Sequence, residues 1–195
     1  GSSAPEQTQE AASPSPTAEE QVDEAKLYAD PISVTIELEN GGVMKGELYP
    51  NLAPETVKNF VKLAKDKFYD GLIFHRVIDG FMIQGGGYDK DMNPKESTAI
   101  KGEFTQNGFN NPLKHTKGVL SMARTNDPDS ASSQFFIMHK DNTSLDGNYA
   151  AFGKVISGIE VVDKIEENVS KFGDKNGLIP DDKQPVIEYI RIIED

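Results

Sequence analysis

Three short runs carry the side chains able to do chemistry: Phe74-His75-Arg76-Val77-Ile78-Asp79-Gly80-Phe81-Met82-Ile83-Gln84-Gly85-Gly86, Ser132-Ser133-Gln134-Phe135-Phe136-Ile137, and Leu145-Asp146-Gly147-Asn148-Tyr149-Ala150-Ala151-Phe152-Gly153. They combine one arginine, the glutamines Gln84 and Gln134, and several large apolar residues, with no evident nucleophile, metal cluster or general-base pair. An apolar pocket beside a fixed cation suits a reaction that makes and breaks no covalent bond, such as rotation about a peptide bond. That bond resists rotation by roughly 18–20 kcal/mol. Before proline its cis and trans forms are close in energy yet exchange over tens to hundreds of seconds. Removing about 7 kcal/mol would accelerate exchange about 10⁵-fold. At the twisted geometry the nitrogen becomes pyramidal and its lone pair can accept a hydrogen bond. A donor aimed there binds the twisted state better than either planar one. Arg76 is the candidate donor, because a guanidinium is always charged, rigid and rich in N–H groups. Residue type alone leaves open a structural arginine paired with a carboxylate.

Other chemistries fit less well. The chain has no cysteine, which removes disulfides and thiolate-ligated zinc. His75, His115 and His139 sit in neither a nucleophile-elbow nor a zinc-binding spacing, so no hydrolase triad, metal or cofactor is expected. Gly85-Gly86-Gly87 follows a strand, but no helix opens after it, as a dinucleotide site would need. Asp89-Lys90-Asp91-Met92-Asn93 begins like a calcium loop, yet Pro94 and Ile100 occupy the positions that require glycine and glutamate.

The elements that must position these residues are mostly short strands. Ile32, Val34, Ile36 and Leu38 alternate with polar residues, predicting a strand with one wet face. Asn40-Gly41-Gly42 predicts a hairpin turn and Val43–Tyr49 the return strand. Pro54 opens a helix with a buried stripe of Val57, Phe60, Val61, Ala64 and Phe68, which Gly71 is expected to end. Further strands are predicted at Leu72–Val77, Phe81–Gln84, Gly118–Met122, Gln134–Met138, Tyr149–Val155 and Val186–Ile193. Ser157 is the expected cap of a second helix carrying Val161, Val162 and Ile165. Alternation turns Phe135 and Phe136 to opposite sides, with Phe74 and Phe135 as the inward pair. Many short strands and two helices predict a mainly β barrel or sandwich.

In order and spacing the three runs resemble the cyclophilin family of peptidyl-prolyl cis-trans isomerases, over roughly Asp30 to the C-terminus. The resemblance implies a closed eight-stranded antiparallel barrel capped by two α-helices, its interior packed and its site on the outer face. It implies that Arg76 and Gln84 are catalytic. Phe81, Met82, Phe136, Leu145 and Tyr149 would wall the proline pocket, and Gln134 would help hold the substrate and the arginine. Backbone groups of Ala123, Arg124 and Thr125 would bind the residue before proline. The chain departs from the family pattern in places. Arg124-Thr125 replaces the common Asn-Ala, Tyr149 replaces a histidine, and Ser144 stands where many members carry tryptophan. Losing the indole N–H should weaken cyclosporin binding more than catalysis. The expected partners are proline-containing peptides and protein clients, met as a monomer. The alternative class is a binding, chaperone or adhesin module on the same fold.

The net charge of −12 argues against nucleic-acid binding. About half of that excess lies in the first 30 residues, with seven acids against one base. Residues 1–26, rich in Ser, Pro, Glu, Gln, Thr and Ala, are expected to be a disordered acidic tail, with residues 27–195 as the isomerase-like domain. Gly1-Ser2 reads as a remnant of a fusion tag and is set aside. The tail suits a tether between a removed lipid anchor and the domain, which predicts an extracytoplasmic, cell-surface location; the alternative is cytoplasmic. Membrane contact would come only through that anchor.

Overall fold

The computed structural model describes residues 24–194. Most of the expected tail lies outside the described residues. Residues 24–27 form a helical turn, so ordered structure reaches back past the expected boundary. The Asn51 amide donates to the carbonyls of Lys26 (3.0 Å) and Ala29 (3.3 Å), and Tyr28 meets Tyr49 edge-on at 5.1 Å. No helix among the described residues is long and apolar enough to cross a membrane.

Eight strands form one antiparallel sheet: β1 (Ile32–Leu38), β2 (Val43–Leu48), β3 (Leu72–Ile78), β4 (Met82–Asp89), β5 (Val119–Met122), β6 (Phe135–Met138), β7 (Ala151–Ser157) and β8 (Ile187–Ile193). Their order is β3-β4-β6-β5-β7-β2-β1-β8. The two end strands approach each other: Gly71 N–H donates to Ile187 O at 2.8 Å, Phe74 N–H to Pro185 O at 2.9 Å, and Ile73 bridges Val186. Helix α1 (Pro54–Lys65) packs against β8, and α2 (Glu160–Val169) against β3.

The core lies inside the curved sheet. Val34, Ile36 and Leu38 of β1 enter it, as their alternation predicts, with Val57, Phe60 and Ala64 of α1 and Val162 and Ile165 of α2. Phe60 anchors an aromatic group, 5.4 Å from Phe135 and 5.1 Å from Phe152. Burying each such ring contributes about 2–3 kcal/mol. Phe74 and Phe135 both face this core, whereas Phe136 joins a second apolar cluster with Met82, Val119, Met138 and Ala151.

Both helix boundaries differ from expectation. Helix α1 ends at Lys65, where Lys67 takes the left-handed conformation (φ 60°) and Phe68 N–H returns to Leu63 O at 2.9 Å. Gly71 instead turns the chain into β3. Ser157 is not a cap but the last residue of β7. Gly158 (φ 89°) makes the turn, because a Cβ there would collide with the Val43 carbonyl. Ala53 cannot cap α1 with its side chain. The buried Glu103 does so from a distance, accepting from Glu55 N–H (3.1 Å), Thr56 N–H (2.7 Å) and Thr56 Oγ1 (2.7 Å). A carboxylate at a helix N-terminus also opposes the helix dipole favourably.

Candidate active site

The site is a row across neighbouring strands on the outer face of the sheet. Arg76 of β3 lies opposite Gln84 of β4, Gln84 opposite Phe136 of β6, and Phe136 opposite Ser121 of β5. Paired residues share a face, so this register alone brings Arg76, Gln84 and Phe136 together. It depends on a β-bulge. Phe74 pairs with Gly85 and Arg76 with Gln84, so two steps on β3 match one on β4. Strict alternation would send Phe74 and Arg76 to the same side. The extra residue lets Phe74 point into the core while Arg76 faces the outer surface.

Arg76 is half-buried, and its guanidinium is held by neutral oxygens. Nε donates to Asn176 O at 2.7 Å, and Nη1 to Gln84 Oε1 at 3.2 Å. Gln84 Nε2 in turn donates to Gln134 Oε1 at 3.0 Å. Among the described residues no carboxylate pairs with Arg76, which disfavours the ion-paired structural role that its residue type left open. Gly87 makes room for this chain, since a Cβ there would stand 2.5 Å from Gln134 Cγ and Nε2. Gly85-Gly86-Gly87, expected to follow a strand, lie within β4, which runs beyond the expected end at Gln84.

A cavity of about 140 Å³ opens beside the guanidinium, lined by Arg76, Phe81, Met82, Gln84, Ala123, Arg124, Phe136, Leu145 and Tyr149. Nine of the eleven candidate residues thus share one wall. Thr125 and Gln134 line an adjoining recess of about 230 Å³ with Gln84, Ala123, Arg124, Ser130 and Ser132. Phe136 and Tyr149 meet edge-on at 5.8 Å. Arg124 separates the two recesses. It lies 4.8 Å from both the Phe104 and Tyr149 rings, and its Nε and Nη2 donate to Asn148 O at 3.0 and 2.7 Å.

Sequence reasoning missed the support behind this wall. His115 Nδ1 lies 3.0 Å from Asp146 Oδ1, and Nε2 lies 2.8 Å from Ser121 Oγ. The carboxylate accepts a hydrogen bond from Nδ1–H, so the serine hydroxyl donates to Nε2, an arrangement seen in hydrolase triads. Here Ser121 and His115 are both buried and neither borders the cavity. Instead the His115 ring lies beside Phe136 (6.0 Å, 18° between planes) and Tyr149 (6.4 Å, 77°). The trio ties the Asp146 loop to β5 and backs the pocket. Burial lowers the His115 pKa, against the raising effect of Asp146. Its spacing in sequence matches no motif, so only the fold reveals it. The Asn176 carbonyl that anchors Arg76 was equally out of reach, a hundred residues away.

Comparison with known proteins finds relatives over most of the chain. The family described as cyclophilin type peptidyl-prolyl cis-trans isomerase matches residues 33–193. A peptidyl-prolyl cis-trans isomerase of Acinetobacter baylyi is 48% identical over 153 residues, covering 75% of this chain and 78% of that protein. Peptidyl-prolyl cis-trans isomerase B of Escherichia coli is 46% identical over 135 residues, covering 65% and 80% respectively. The crystal structure of a cyclophilin type isomerase of Cryptosporidium parvum superposes with a TM-score of 0.69 at 30% identity, covering 85% of this chain and 99% of that one. A structure of the same protein in the presence of the dipeptide Ala-Pro gives 0.67 at 31% identity, covering 84% and 99%. The chain belongs to the cyclophilin family of peptidyl-prolyl cis-trans isomerases.

Proposed function

We propose that this isomerase accelerates rotation about X-Pro bonds by directing the uncommitted N–H groups of Arg76 at the proline nitrogen as it pyramidalises. The observation that carries the reading is a guanidinium without a carboxylate partner among the described residues, held by Asn176 O and the Gln84–Gln134 relay at the mouth of an apolar cavity. Its charge is therefore available to the transition state rather than spent on an internal ion pair. The proline ring enters between Phe81, Met82, Phe136, Leu145 and Tyr149. Backbone groups of Ala123, Arg124 and Thr125 take the preceding residue. No group needs to change protonation state. The substrates are proline-containing peptides and folding protein clients, and one chain supplies every residue of the site, which is compatible with action as a monomer. The approach of β3 and β8 supports reading the sheet as a closed barrel. The acidic stretch preceding the domain would serve as a tether at the cell surface, which mass spectrometry of the natural protein in membrane and soluble fractions tests. Exchange NMR on an Ala-Pro peptide tests the activity: enhanced cis–trans exchange at catalytic protein concentration is expected, and no enhancement would leave a proline-binding module instead.

A further inference from the structure

A second group of side chains lies outside the proline cavity, where the β3–β4 turn, the end of β6 and α2 meet. Glu166 on α2 is 2% exposed, and neither of its carboxylate oxygens has a hydrogen-bond partner among the described residues. It points at His139, whose Nδ1 lies 3.9 Å from Glu166 Oε1 and 3.9 Å from Asp79 Oδ1. Asp79 is exposed on the turn. One ligand atom from each of the three residues fits within 4.8 Å of the others. The far side of the ring is also arranged. His139 Nε2 lies 3.3 Å from Asp163 Oδ1, and Asp163 is steadied by Lys117 Nζ at 2.8 Å. Gly80 N–H donates to His139 Nδ1 at 3.1 Å, which leaves the ring proton on Nε2 and the lone pair on Nδ1, facing the carboxylates.

A buried, unpaired carboxylate is unfavourable unless something positive or protic reaches it. We propose that Asp79, His139 and Glu166 form a binding site for a divalent transition-metal ion of the Zn²⁺ type. One imidazole and two carboxylates are a borderline N/O donor set that suits zinc better than calcium, which prefers all-oxygen cages. Zinc holds such ligands at roughly 2.0–2.1 Å, so the side chains need close by only about half an ångström each. Exposed Asp79 can supply its share by rotation, and the buried His139–Glu166 pair, 3.9 Å apart, closes by a small shift of either side chain. The ion would displace the Gly80 hydrogen bond and leave a coordination position to water. The Asp163–His139 contact is the outer carboxylate that orients a metal-binding imidazole. The three ligands come from distant parts of the sequence, so no short motif announces them.

The experiment is isothermal titration of the full chain with Zn²⁺, accompanied by the absorption spectrum of the Co²⁺ form. One saturable ion per chain is expected, with the intense visible bands of a low-coordinate nitrogen–oxygen site. Glu166→Gln and His139→Asn should each weaken binding by about 100-fold or more, and Asp163→Asn by about 10- to 100-fold. Asp79→Asn changes only an exposed side chain and provides a variant whose folding is not in question. The proposal is overturned if the wild type binds no Zn²⁺, if Ca²⁺ binds more tightly than Zn²⁺, or if Asp79→Asn and Glu166→Gln retain wild-type affinity. None of these residues lines the proline cavity, so the outcome is independent of the catalytic reading.

Discussion

Replacing Arg76 separates catalysis from stability. The guanidinium has five N–H donors, of which Nε–H and one Nη1–H are engaged by Asn176 O and Gln84 Oε1. Those two bonds hold the plane of the group, leaving the remaining donors for the substrate. In Arg76→Ala both oxygens lose their donor. Both lie at a partly exposed site where water can replace it, so the stability loss should be about 1 kcal/mol, or roughly 2–4 °C in Tm for a domain of this size. The loss at the transition state is much larger. Removing a fixed donor from a developing charge costs about 2.7–4 kcal/mol, or roughly 10²–10³ in rate. Arg76→Lys keeps the charge but cannot hold both anchors, and should recover only a small part of kcat/KM. Gln84→Ala should slow the enzyme less. In the double variant Gln84→Ala should cost little more, because it acts through the arginine. Exchange NMR on an Ala-Pro peptide gives the rates, and thermal unfolding gives the stabilities. If Arg76→Ala stays within threefold of the wild-type rate, or if its activity falls only in proportion to unfolding, the arginine does not carry the mechanism.

Other consequences can be checked separately. Gly87→Ala should leave Tm within about 2 °C but slow turnover several-fold, because the new methyl displaces the flexible Gln134 side chain and breaks the relay to Arg76; unchanged turnover would show the relay to be dispensable. Turnover should be nearly flat from about pH 6 to 9, since arginine stays charged, and a steep bell there would reveal an acid or base. Stability should not be flat. Burial, and then the adjacent Arg76 charge, lower the His75 pKa from 6.5 to about 4. Between those values the unfolded chain binds a proton that the folded one refuses. The His75 contribution is therefore complete above about pH 6.5 and falls by about 3 kcal/mol as pH drops to 4. Urea unfolding across that range should show His75→Phe to be less acid-sensitive, and an identical slope would refute the assignment. Cyclosporin should bind weakly, because exposed Ser144, bonded to Asn142, offers no indole. A nanomolar dissociation constant, or no gain on Ser144→Trp, would refute that.

Much of the site was legible because strand and helix periods are local. The alternation of β1 and most of the stripe of α1 follow from backbone geometry alone: β1 enters the core as read, as do Val57, Phe60 and Ala64, whereas Val61 is half-buried and Phe68 lies past the helix end. Phe135 and Phe136 had to diverge because adjacent strand residues always do. The chemistry was equally local: an arginine without nucleophile or base partners, beside apolar residues, excludes most reactions whatever the fold.

What adjacent residues could not settle was anything decided by a partner far along the chain. Alternation from Phe74 would have turned Arg76 into the core, and only the bulge against β4 turns it out. Helix α1 takes its N-terminal cap from Glu103, and Gly158 ends β7 because the Val43 carbonyl passes too close for any side chain. The Ser121–His115–Asp146 trio and the Asp79–His139–Glu166 cluster exist only where loops, strands and a helix converge. Composition and period specify which residues face inward, since those depend on torsion angles a few residues long. The tertiary fold decides which polar groups meet, because a hydrogen bond or ligand set needs ångström placement that only long-range packing provides.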